Sequence, residues 1–144
     1  MEFLGKVSDH ELRLNLAGCR ALIFPGEEDF GIVPVEAQSF GRPVIAYASG
    51  GVLETVRGVL PGQSAVKSQT GVFFTEQSTS KVVEAIHDFE SREQEFSPQA
   101  IHKHSLQFDS TIFKSKMAEF IRCALLDFKN RDVRALPQFS QDIS

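Results

Sequence analysis

Two short apolar runs, Ala21-Leu22-Ile23-Phe24 and Pro43-Val44-Ile45-Ala46, bracket one amphipathic segment from Ile32 to Phe40, and this arrangement constrains the fold more than any other feature of the chain. The first run is stopped by Pro25-Gly26, and continuous apolarity without alternation predicts strands covered on both faces of a parallel sheet. The amphipathic segment between them reads as the helix that connects two parallel strands. Gly41 closes it, at the position where a helix end favours a left-handed residue. The result is one β-α-β unit.

Other segments extend the same pattern. Phe3-Leu4-Gly5 reads as the end of a buried strand. Ser8-Asp9-His10-Glu11 has the spacing of a capping box, with Leu12 and Leu16 following at i, i+4, and predicts a helix from Asp9 to Ala17 that ends at Gly18. Gly50-Gly51 leads into a short helix, Val52 to Val56, and the stretch from Arg57 to Thr70 reads as a mobile surface loop. Gly71-Val72-Phe73-Phe74 is the next strand, and Ser80 to Phe89 a helix with Val82, Val83, Ile86 and Phe89 on one side. Ser97-Pro98 opens a further helix, because proline is tolerated in a first turn. From Asp109 to Phe128, the residues Phe113, Met117, Phe120, Ile121, Ala124 and Phe128 recur at helical spacing as one broad apolar face. Residues 1–129 are thus expected to form an α/β domain, a Rossmann-like parallel sheet with helices on both faces, and residues 130–144 a polar, frayed tail.

Composition narrows the partners. A net charge of −4 provides no basic footprint for nucleic acid or an anionic membrane. Cys19 and Cys123 both fall in helix-like stretches and do not read as a disulfide framework, which fits a reducing, cytoplasmic setting. No apolar run approaches the length of a membrane span, and no export signal opens the chain. His10, His87, His102 and His104 pair with no nucleophile or second ligand by spacing, and structural or solvent roles are expected for them.

The stretch Glu28-Asp29-Phe30-Gly31-Ile32-Val33-Pro34-Val35-Glu36 carries the chemistry. Pro34 sets where the central helix begins, because a proline deeper than the first turn would delete a backbone hydrogen bond at a cost of about 3 kcal/mol. The helix must therefore start near Gly31 to Val33, with its unpaired first N–H groups facing the loop at the carboxyl end of the Ala21 to Phe24 strand. Aligned peptide dipoles make that end a natural seat for phosphate or diphosphate, and Gly31 lets a ligand approach the backbone. Glu36 falls on the line Ile32, Glu36, Phe40 and is expected to project along an apolar stripe, where two vicinal hydroxyls such as those of a ribose would satisfy its oxygens. Glu28 lies in the loop, placed to hold a second set of sugar hydroxyls. Three other readings stand at this point: a salt bridge from Glu36 to Arg42 or an edge position for it, a merely solvated Glu28, and a divalent metal on Glu27-Glu28-Asp29. The last would need a specially wound loop.

Glu28 and Glu36, with seven residues between them and Phe30-Gly31-Ile32-Val33 among these, resemble the Glu-x7-Glu motif of the family 4, or group 1, glycosyltransferases of GT-B fold. Pro25-Gly26, Glu36-Ala37, Gly41-Arg42-Pro43-Val44-Ile45-Ala46, Gly50-Gly51 with Glu54, and Thr70-Gly71-Val72-Phe73-Phe74 follow in that family's order. The resemblance covers Phe3 to Phe89 well and the last helices loosely. It implies that the chain is part of the C-terminal, donor-binding half of a retaining enzyme that moves a sugar from a nucleotide-sugar to an acceptor hydroxyl. Glu36 would then bind the ribose hydroxyls. Glu28 would hold the donor sugar hydroxyls at the catalytic centre, and the backbone at Phe30, Gly31, Ile32 and Val33 the sugar and distal phosphate. No metal or other cofactor is implied. The wording is similar to that of bacterial mannosyltransferases of cell-surface polysaccharide synthesis, which points to GDP-mannose as donor.

The same resemblance implies an acceptor-binding domain or separate subunit as partner, and any peripheral membrane association would come through such parts. The family's basic pair, which neutralises the diphosphate, has no counterpart upstream of Phe3, and Arg42 and Lys67 are no obvious substitutes. Activity of the chain alone is therefore not expected. Three identities follow: a piece of a longer transferase, a subunit that meets an acceptor-binding chain as in the split N-acetylglucosaminyltransferase of the dolichol pathway, or a non-catalytic nucleotide-binding module. A partly uncovered face of Phe113, Phe120 and Ile121 would invite association.

Overall fold

The computed structural model describes residues 2–64 and 68–130, so the expected tail, residues 131–144, lies outside the described residues, as does Lys67. The chain divides into two units, Met1–Phe108 and Asp109–Ser144.

In the first unit, α1 spans Asp9–Gly18 and begins as the spacing predicts. The Ser8 amide donates to Glu11 Oε2 at 2.9 Å and the Glu11 amide to Ser8 Oγ at 3.3 Å, so two otherwise free amides are satisfied reciprocally. The Ser8 amide and the Ser8 hydroxyl, both donating to the Glu11 carboxyl, hold it below its ordinary pKa. Leu16 is buried, whereas Leu12 faces outward. There follow β1 (Leu22–Phe24), α2 (Ile32–Ser39), β2 (Val44–Tyr47), α3 (Val52–Thr55), β3 (Gly58–Val59), β4 (Gly71–Phe74), α4 (Thr79–Ser91) and α5 (Pro98–Ser105), with short 3₁₀ turns at Glu93–Glu95 and Leu106–Phe108. Every strand pair is parallel, in the order β1-β2-β4-β3.

Helices cover both faces of this sheet, the α/β, Rossmann-like arrangement expected. Alternate strand residues divide the core in two, as a period of two requires. Leu22, Phe24, Val44, Ala46 and Phe73 join Leu16, Ala37 and Val52 from α1, α2 and α3. Ile45, Tyr47, Val72 and Phe74 join Ala85 and Phe89 of α4 and Ile101 of α5. Gly41, at φ +72°, turns the chain out of α2, and a Cβ there would lie 2.7 Å from the Pro98 carbonyl oxygen, so α5 rests directly on this backbone. Arg20, just before β1, donates to Glu90 at 3.1 Å and to Glu93 at 2.5 Å.

Four expectations need correction. Phe3-Leu4-Gly5 is not a strand: Phe3 is 85% exposed, no strand pairs with it, and Gly5 turns left-handed at φ +65°. β1 is an edge strand rather than one covered on both faces, and Ile23 is 45% exposed. The Arg57–Thr70 stretch contains β3, hidden from propensity by its glycine. Gly58 is required there because a Cβ would come within 2.6 Å of the Phe73 ring. In α4 the buried residues are Ala85 and Phe89, flanked by Val82 and Ile86, while Val83 is turned outward.

The second unit contains α6 (Ser110–Asn130). Its start is fixed by Asp109, whose Oδ1 accepts from the Thr111 amide at 2.8 Å and whose carboxyl is held below its ordinary pKa by that bond. It carries the predicted Phe113, Met117, Phe120, Ile121, Ala124 and Phe128.

Candidate functional site

Because all the strands run parallel, the loops that follow β1, β2 and β4 emerge at one edge of the sheet, where open α/β sheets receive ligands. These loops are tied together there. Gln77, after β4, donates to the Pro25 carbonyl at 2.8 Å, and the Gly51 amide, after β2, donates to the Glu28 carbonyl at 2.7 Å. The second contact is closer than any side chain would allow. A Cβ at Gly50 would sit 2.5 Å from the Glu28 carbonyl oxygen, and one at Gly51 2.4 Å from both the Asp29 oxygen and Phe30 Cα.

From this anchored loop the chain enters α2 through Gly31, in the left-handed region at φ +76°. No side chain caps the helix. Pro34, in the first turn as the sequence requires, has no N–H, and the ladder begins with Val35 donating to the Gly31 carbonyl at 3.4 Å. The Ile32 and Val33 amides therefore open the helix without an intrahelical acceptor, at the positive end of its dipole. Ile32 is 63% exposed and Val33 lies at the surface beside it, so this turn is accessible. Gly31 itself is buried against Pro34 and Val52, and Phe30 packs edge-on to Phe108 at 5.8 Å.

Glu28 and Glu36 are both exposed, and neither carboxylate has a hydrogen bond or ion pair among the described residues. The expectation that Glu36 projects along an apolar stripe is corrected. Pro34, Ala37, Gln38 and Gly41 form the buried face of α2, and the line Ile32, Glu36, Phe40 lies on the opposite, outward side. The bridge to Arg42 is not formed either, since that guanidinium donates to the Ala17 carbonyl. Arg42 is thereby committed to structure. Among the described residues no three His, Cys, Asp or Glu side chains converge as a metal would need.

Behind the loop lies a polar network that residue spacing did not reveal. Thr55 Oγ1 donates to the Gly51 carbonyl at 3.0 Å. The Thr55 carbonyl accepts from Gln38 Nε2 at 3.0 Å, and Gln38 also reaches the Pro34 carbonyl at 3.1 Å. His104 Nε2 lies 3.1 Å from the same Thr55 oxygen, which only accepts, so Nε2 carries the hydrogen and Nδ1 receives the Gln107 amide at 2.9 Å. α2, α3 and α5 are thus joined through one carbonyl. A signal was present in Gln38, a polar residue on the same helical face as Pro34 and Ala37. His104 is structural, as expected of the histidines.

Burial lowers the His104 pKa below its ordinary 6.5, against the hydrogen bond to Thr55, and the Arg57 charge acts in the same direction as burial. The unfolded chain takes up this proton near 6.5 and the folded chain only at lower pH, so in between the unfolded state binds more protons. Stability from this group is complete above the unfolded value and declines as pH falls below it. Thermal melting from about pH 7 to about pH 5, above most carboxylate titration, should show the midpoint falling, and the fall should be weaker in His104→Gln. Identical slopes in the two proteins would remove His104 from this role.

The family model for group 1 glycosyl transferases matches residues 1–104. The α-1,3/1,6-mannosyltransferase ALG2 of Saccharomyces cerevisiae is 40% identical over 70 residues, which cover 48% of this chain and 14% of that protein. A glycogen synthase of Pelodictyon phaeoclathratiforme is 33% identical over 98 residues, 62% of this chain and 19% of the relative. The chain thus spans less than a fifth of either protein. Among solved structures, sucrose-phosphate synthase of Thermosynechococcus elongatus superposes with a TM-score of 0.70 at 22% identity, over 88% of this chain and 30% of that one. Anabaena HepE in complex with UDP and glucose gives a TM-score of 0.61 at 22% identity, over 78% of this chain and 29% of that one. These structures share its fold. With the family model matched from the first residue through α5, and the Glu28 to Glu36 segment folded as an anchored loop and an open helix end, the chain belongs to the group 1 glycosyl transferases.

Proposed function

We propose that this chain holds the nucleotide-sugar donor of a retaining glycosyltransferase, which moves a sugar of the mannose class from a GDP-sugar to an acceptor hydroxyl in glycan or polysaccharide synthesis. The observation that carries this reading is the uncapped first turn of α2, open at Ile32 and Val33 and flanked by two unpaired carboxylates, Glu28 and Glu36. A diphosphate at that turn accepts from the free amides. As the glycosidic bond breaks, negative charge accumulates on it, and amides already held in place by the helix stabilise that charge without rearranging. Glu36 accepts from the ribose hydroxyls and Glu28 from those of the departing sugar. The mannosyltransferase relative supports the sugar class, and a neighbour crystallised with UDP and glucose supports the ligand class. The acceptor site belongs to another domain or subunit. Unpaired Cys19 and Cys123 are consistent with a cytoplasmic setting, and among the described residues no helix is long and apolar enough to cross a membrane.

Calorimetry of the chain with GDP, UDP, GDP-mannose and UDP-glucose tests the proposal. Saturable binding is expected, and no heat from any of them at millimolar concentration would refute donor binding by this chain. Glu28→Ala should weaken GDP-mannose about tenfold, the effect of losing one charge-assisted hydrogen bond, and leave GDP unchanged. Equal losses for the two ligands would remove Glu28 from the sugar.

A further inference from the structure

A cavity of about 330 Å³ opens between α5 and the segments that lead into β3 and β4. Ala100, Lys103, His104 and Gln107 line one side at i, i+3, i+4 and i+7, a single helical face, and Arg57 and Ser68 line the other. Ala100, at the start of that face, has a short side chain that leaves room there. The cavity's size lies at the lower end of ligand sites, enough for a small molecule.

Two exposed cations line this cavity on a chain of net charge −4, and neither Arg57 nor Lys103 has a carboxylate within ion-pair distance among the described residues. Arg57 is also anchored. Its amide donates to Thr70 Oγ1 at 2.9 Å and its carbonyl accepts the Thr70 amide at 2.8 Å, with Thr70 fully buried. Its side chain lines the cavity together with His104. The His104 ring forms an inner wall, held between Thr55 and Gln107. Two fixed-sign charges with a neutral amide and a hydroxyl beside them suit a tetrahedral dianion that also carries a few polar atoms.

We propose that this cavity binds a small phosphoryl anion, a phosphate monoester or free phosphate, with Lys103 and Arg57 pairing its oxygens and Gln107 and Ser68 bonding its remaining polar groups. None of its lining residues belongs to the Glu28 to Glu36 segment, and the proposal does not depend on the donor reading.

The test follows the His104 ring signals by NMR in the whole chain, at constant ionic strength and about pH 7, where a phosphoryl group carries most of its second charge. Inorganic phosphate and glycerol 3-phosphate are titrated separately. A saturable shift of the His104 signal is expected, and a lower midpoint with glycerol 3-phosphate identifies the ester as the occupant, equal midpoints the free anion. Lys103→Gln and Arg57→Gln should each raise the midpoint about tenfold, as for the loss of one charge-assisted contact, and saturating GDP should leave it unchanged. Absence of a saturable shift, an unchanged midpoint in both variants, or displacement by GDP would each overturn the proposal, the last because the anion would then be read at the α2 turn.

Discussion

Gly51→Ala is expected to abolish nucleotide binding and to destabilise the fold by about 1–3 kcal/mol, the usual cost of forcing atoms into a packed site. Two principles oppose each other at this residue, and their magnitudes decide the sign. Gly51 sits at φ −64°, ψ −16°, a conformation open to any residue, at the start of α3. By reduced freedom of the unfolded chain alone, alanine in a conformation it can adopt would stabilise it by up to about 1 kcal/mol. Its Cβ, however, would lie 2.4 Å from the Asp29 oxygen and from Phe30 Cα, both backbone atoms that no rotamer change can move aside. The loop must retreat by roughly 1 Å to restore contact distance. That retreat breaks the bond from the Gly51 amide to Glu28 and displaces the residues that lead into the open turn of α2. Denaturant unfolding and GDP calorimetry read the two effects together. A variant more stable than the parent, with affinity intact, would show that the contact is slack.

Glu36→Ala should behave in the opposite way: full stability and at least about a hundredfold loss of GDP affinity. The side chain is exposed and without a partner, so its removal should leave unfolding unchanged within about 0.5 kcal/mol. If its two oxygens accept from vicinal ribose hydroxyls, two charge-assisted bonds of about 1.5 kcal/mol each disappear, which corresponds to the stated loss. Glu36→Gln keeps the size and one acceptor and should fall between. Unchanged affinity in Glu36→Ala would remove the nucleoside from this face of α2. Paired with Gly51→Ala, the experiment separates a residue that touches the ligand from one that holds the loop.

Features written in local spacing were legible before any coordinates. The capping box of α1, the start of α2 just before Pro34, its end at Gly41 and the parallel β-α-β unit each depend on neighbours within a few positions, where backbone chemistry leaves few alternatives. The Glu28 to Glu36 segment was legible in the same way. What escaped depends on distant partners. Whether Ile23 is covered is decided by the order of strands, and Phe3 lacks a strand to join. The outward direction of Glu36 follows from Gln38, fully buried through a bond to Thr55 seventeen positions away, which turns that side of α2 inward. β3 was hidden because its glycine answers to the Phe73 ring rather than to strand propensity.

The joining of the Glu28 loop to Gly50-Gly51 through main-chain atoms alone has a consequence for how such a site diverges. Amides and carbonyls are the same for every amino acid, so the side chains at Glu27, Glu28, Asp29 and Phe30 can be exchanged over generations while the attachment point stays fixed. Under the proposed donor reading, a single substitution among these side chains changes the sugar contacts without a second change to rebuild the frame, provided that the two glycines remain.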